Sequence, residues 1–191
     1  MKGILFKEEM FLAVIEGRKT QTRRIITSQP DGRGLRNGQT EDWHGLKMKP
    51  RYFPGEVVYL KEPYSAIDGG IAGTLTFYRY NGSNDIMDRN LRWKNKMFMP
   101  ADKARFFIRI TKVRCERLQD ITEEDAIAEG IEKVCDYGTT GYKLYTQPDA
   151  AFSDIDAVWS YESLWESING KGSWDLNPWI WIYEFQLEAR P

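Results

Sequence analysis

The run Gly17-Arg18-Lys19-Thr20-Gln21-Thr22-Arg23-Arg24 brings four cations, two hydroxyls and an amide into eight residues. Lys and Arg hold phosphate or carboxylate oxygens, Arg in bidentate fashion, and Thr hydroxyls donate or accept beside them. These residue types suit an anion site rimmed by Lys19, Arg23 and Arg24. They would equally suit a solvated turn, since cations gather where a helix ends on the negative pole of its dipole. The charge pattern extends the theme. Between Arg18 and Arg51 nine basic residues face three acids, whereas from Glu116 to Glu166 thirteen acids face three bases. A local anion site in the first third fits this better than a clamp on extended duplex DNA, which a net charge of −1 disfavours.

Other chemistries find little support. The two cysteines, Cys115 and Cys135, lack CxxC spacing and the single histidine, His44, stands far from both, so no metal site is expected. Neither GxGxxG nor GxxxxGK[ST] occurs, and no cofactor is expected. The opening residues lack the apolar run and small-residue cleavage site of a leader, and no apolar stretch approaches eighteen residues. A soluble, intracellular (cytoplasmic) protein with no membrane partner is the expectation.

The elements that must position the cationic run follow from periodicity. Residues 7–16 put Met10, Phe11, Val14 and Ile15 on one helical face, with Gly17 as a left-handed stop. After Arg24 comes a polar, Gly-rich stretch, read as an inserted loop near 27–52. Strands are expected over 54–60, 74–80, 104–113 and 178–187, where β-branched and aromatic residues alternate with polar ones. In the last of these Trp179, Trp181, Tyr183, Phe185 and Leu187 share one face. Thr122 opens an acid-rich helix that Gly130 ends, and a second helix runs from Ser153, as its cap, to Ile168. Residues 133–152 read as a second insertion. Short strands with interspersed helices predict one α+β domain over residues 1–191, a small mixed β-barrel with short flanking helices.

With these pieces in order, the chain resembles a known family. Gly17-x-Lys19-x-x-x-x-Arg24 after a short helix is similar to the GxKxxxxR signature of ASCH domains, within the PUA-like superfamily. Pro54-Gly55-Glu56 resembles the turn before the family's next strand, LQDITEEDAIAEGI its strand-to-helix segment, and LWESINGKGSWDLNPWIWIYEFQL the C-terminal block of a larger, phage- and prophage-type branch. The resemblance implies a PUA-like barrel whose basic cleft takes RNA, a nucleoside or a nucleotide. Glu62, Trp174 and Asn177 match recurrent positions of that branch, where a carboxylate or an indole could grip a base. Trp179 and Trp181 read as core.

The superfamily includes bacterial amidohydrolases that deacetylate 4-acetylcytidine with a lysine, a threonine and a glutamate. By resemblance these fall on Lys19, Thr22 and Glu129. The implied roles are Thr22 as nucleophile, Lys19 as its base and Glu129 as the acid for the departing amine, with Arg24 holding an oxyanion. Three readings stay open at this point: an RNA- or nucleotide-binding module, an amidohydrolase acting on 4-acetylcytidine or a related small amide, and a phage-encoded structural or regulatory protein. The residues themselves leave bland alternatives, with Glu129 an exposed helix acid and Thr22 a backbone-bonding hydroxyl. The oligomeric state is not legible in the sequence.

Overall fold

The computed structural model describes residues 1–29, 48–70, 73–80, 91–136, 139–147 and 155–191. Most of the expected loop after Arg24, with His44, Arg33, Arg36 and Lys47, lies outside the described residues, as does the expected Ser153 cap.

The fold is α+β. Strands β1 (Gly3–Leu5), β2 (Gln21–Ile25), β3 (Val57–Lys61), β6 (Phe107–Arg117) and β9 (Trp179–Glu188) form a mixed five-stranded sheet in the order β1-β3-β6-β9-β2. The β1–β3 pair is parallel and the other pairs are antiparallel. Two hairpins stand apart, β4 (Tyr64–Asp68) with β5 (Thr74–Tyr78) and β7 (Lys133–Asp136) with β8 (Thr139–Tyr142). The segment read as a second insertion thus begins as a hairpin. The helices are α1 (Glu8–Ile15), α2 (Glu123–Ala128) and α3 (Ala157–Asn169). Side chains start two of them, Thr122 Oγ1 accepting from Asp125 N at 3.2 Å and Asp156 Oδ1 from Trp159 N at 2.7 Å.

Alternation along the strands sorts the core. Val58, Leu60, Ile108 and Ile110 join α1, α3 and β9 in the main cluster, while Tyr59 and Phe107, one residue out of phase, meet Tyr64 and Met99 on the opposite face. Strand β9 lies inside the sheet between β6 and β2 and is buried on both faces as far as Tyr183, with Ile180 and Ile182 as inaccessible as the aromatic residues that alternate with them. Beyond Phe185 it emerges, and Leu187 is exposed rather than part of the expected buried face.

Barrel closure is not found among the described residues, because β1 and β2 remain the two edges of the sheet. The sheet nevertheless curls until those edges face each other. Arg24 Nη2 reaches from β2 to the Leu5 carbonyl of β1 at 2.7 Å, one side chain spanning the seam where backbone pairing would have closed the barrel.

Candidate functional site

The cationic run is not a turn. From Gln21 onward it is edge strand β2, seated on the last strand with Thr22 opposite Tyr183 and Arg24 opposite Trp181. Lys19, Gln21 and Arg23 alternate toward α2 in the period of a strand. Gln21 Nε2 donates to the Asp125 carbonyl at 2.6 Å, and Arg23 reaches Asp125 Oδ2 at 2.7 Å and Glu129 Oε1 at 3.1 Å. Lys19 Nζ lies 2.6 Å from Glu129 Oε2 and 2.7 Å from the Glu129 carbonyl oxygen. Asp125 and Glu129 stand four apart, so a helical turn presents both carboxylates to one strand.

Gly130 makes the approach possible. Its φ of +83° is left-handed, and a Cβ there would lie 2.6 Å from Lys19 Cβ. Only hydrogen fits. The backbone then knits α2 to the run through Thr20 N to the Ala128 carbonyl at 2.9 Å, and on to β9 through Phe185 N to the Thr20 carbonyl at 2.8 Å.

Lys19, Thr22 and Glu129 are 4%, 4% and 2% exposed. They line one cavity of about 330 Å³, walled by Phe6, Met10, Tyr161, Leu164 and Trp165 and bordered by Lys96. That volume falls in the range of small-molecule sites, and aromatic walls around a few polar groups suit a flat heterocycle. Burial pulls the Lys19 ammonium below the ordinary lysine value, with Glu129 opposing that shift and Arg24 and Arg23 adding to it. Burial also holds the Tyr161 phenol well above its ordinary value, leaving it a neutral donor. Arg23 Nε and Trp165 Nε1 are buried donors with no acceptor among the described residues.

The expected open rim of three cations is therefore corrected. Lys19 and Arg23 are neutralised by Glu129 and Asp125, and Arg24 alone of the three makes no salt bridge among the described residues. Nor is Glu129 an exposed helix acid. Taking charged groups from water is expensive even when they are paired, and a packed cluster of this kind next to a cavity makes the place a candidate site.

Three other predicted ligand residues lie elsewhere. Glu62 is fully buried beneath Arg105, which binds both its oxygens at 2.7 Å. Trp174 packs edge-on against Tyr161 at 6.3 Å between ring centroids. Asn177 adopts a left-handed φ of 39° and caps a bend, its Oδ1 accepting from Gln119 N at 2.9 Å. All three hold the scaffold and none lines the cavity. Sequence reasoning missed Asp125, Tyr161 and Trp165. The four-residue spacing of Asp125 and Glu129, matching that of Lys19 and Arg23, is the signal that could have found the first.

Among the described residues no group of three His, Cys, Asp or Glu side chains could hold a metal ion, and no helix is long and apolar enough to cross a membrane. Comparison with protein-family models, curated proteins and solved structures gives no significant match to any of them.

Proposed function

We propose that the chain is an ASCH-type, PUA-like protein that hydrolyses a small amide, with 4-acetylcytidine as the model substrate. The observation that carries this reading is the convergence of Lys19, Thr22 and Glu129 on one aromatic-walled cavity, although Glu129 is 110 residues from Lys19 in sequence. The curled sheet with its bridged seam supports the PUA-like part.

The chemistry follows from the pair. Burial lowers the Lys19 value and so favours its neutral amine, whose lone pair can serve as the base. Thr22 Oγ1 attacks the amide carbon and its proton passes through one water to Lys19, whose own hydrogen bonds go to Glu129. The carbon–nitrogen bond breaks, the amine leaves with the proton that Lys19 took up, relayed through Glu129 at 2.6 Å, and the acyl group stays on Thr22 as an ester. Water then cleaves the ester, releasing the acid and restoring the threonine. Tyr161 and Arg24 are the donors available to the oxyanion.

Incubation with 4-acetylcytidine and chromatography for released cytidine tests the proposal. Thr22→Val and Lys19→Ala are each expected to lower turnover by about a hundredfold or more. Turnover that survives Lys19→Ala overturns the mechanism. Wild type that binds cytidine without turnover is instead a nucleoside- or RNA-binding module.

A further inference from the structure

A second cavity, of about 540 Å³, lies in the seam between β1 and β2 and shares Leu5, Arg24 and Ile25 with the first. Its charge is of the opposite character. Arg24, Lys49, Arg51 and Lys61 line it, Thr27 and Ser28 add hydroxyls, and no carboxylate is among its described lining residues. In the inner cavity, by contrast, each of Lys19 and Arg23 meets an acid.

The donors here are largely unspent. Arg24 gives one hydrogen bond, to the Leu5 carbonyl, and makes no salt bridge among the described residues. Arg51 uses its backbone, donating N–H to Tyr183 Oη at 3.0 Å, while its guanidinium rests over Tyr52 and meets no carboxylate among the described residues. Lys61 holds the Met97 carbonyl at 2.7 Å, which leaves two ammonium protons free. Trp181 and Tyr183 form an aromatic floor beneath these cations. Cations that meet no carboxylate among the described residues and converge on a concave surface of this kind match the oxygens of a phosphate.

We infer that the seam cavity binds the phosphate of a nucleotide whose base occupies the inner cavity, so that the substrate class is a phosphorylated nucleotide rather than a free nucleoside. The assignment of the base to the inner cavity rests on the proposed function. Arg24, common to both cavities, stands at the junction between base and phosphate.

Isothermal titration of the intact protein at low salt with cytidine, cytidine 5′-monophosphate and inorganic phosphate tests the inference. A hydrogen bond to a charged group strengthens binding by about tenfold or more, so the nucleotide is expected to bind at least about tenfold tighter than the nucleoside. Lys49→Gln/Arg51→Gln, which alters exposed side chains that make no salt bridge among the described residues, is expected to abolish that advantage and to weaken inorganic phosphate, leaving cytidine unchanged. Equal affinities of nucleoside and nucleotide in wild type, an advantage that persists in the variant, or no binding of either overturns it. A short pyrimidine RNA identifies the source of the phosphate: tighter binding with a steeper salt dependence than the mononucleotide marks a strand, and equal behaviour marks a mononucleotide. Failure of 4-acetylcytidine turnover with the tenfold advantage intact removes the proposed reaction but not the phosphate site.

Discussion

Substitution of Gly130 by alanine separates two effects that usually arrive together. The residue is left-handed, as is Gly17 at the end of α1, with φ of +83° and +78°. A Cβ at Gly17 meets nothing within 4 Å, whereas at Gly130 it falls 2.6 Å from Lys19 Cβ and 3.1 Å from Ala13 Cβ. Gly17→Ala therefore carries the conformational penalty alone, roughly 1–2 kcal/mol. Gly130→Ala adds the crowding. Ordinary contact begins near 3.4 Å, so Lys19 or the end of α2 must retreat by about 0.8 Å. Overpacking of that kind adds roughly 1–3 kcal/mol. For a chain of this length each kcal/mol lowers Tm by roughly 2–4 °C, which predicts a drop about twice as large for Gly130→Ala as for Gly17→Ala by differential scanning calorimetry. The displacement also pulls at the 2.6 Å Lys19–Glu129 contact, and a misplacement approaching 1 Å lowers turnover by about a hundredfold. Equal Tm losses for the two variants would refute the close-approach argument, and full activity in a destabilised Gly130→Ala would refute the need for that contact.

With Lys19 as the proposed base, turnover is expected above its folded pKa and lost as pH falls through it; with burial lowering that value, the midpoint of the pH–rate profile should lie below the ordinary lysine value of 10.5. A midpoint at or above that value would contradict the assigned role. Glu62→Ala strands Arg105 against a buried gap and is expected to lower stability by about 3 kcal/mol in urea denaturation, with cytidine affinity retained in the folded fraction. Loss of affinity without loss of stability would return Glu62 to the ligand site.

Much of the scaffold was legible because period-two and helical patterns need only local sequence. Phe107–Arg117, Trp179–Glu188 and α1 lie where alternation or apolar spacing predicted them. Strand β2 was not legible, since its buried residues are polar and a strand whose inward face reads Gln21, Arg23 looks like solvated chain. What buries it is a pair of carboxylates on α2, about a hundred residues away, and no local pattern announces that partnership. Trp174 and Asn177 lie away from the cavity that Lys19, Thr22 and Glu129 line. An indole and an amide in a Gly-rich bend suit a ligand as well as they suit packing, and only Tyr161 and Gln119 N reveal which. The convergence of Lys19, Thr22 and Glu129 came from the family resemblance, because spacing carries no information on contacts of such sequence separation.

The seating of β2 against β9 also dictates an order of events during synthesis. Gln21 pairs with Glu184 and Ile25 with Ile180, so the strand bearing Thr22 and Arg23 has no partner until the ribosome has delivered the last strand. At roughly 5–20 residues per second that interval is on the order of ten to thirty seconds. Throughout it the nascent chain holds α1 and its cationic run without the sheet they belong to, and α2 can supply its carboxylates only to an unanchored segment. The cavity is thus among the last features to form, and a ribosome stalled before Trp179 carries a chain that has every predicted catalytic side chain and no site.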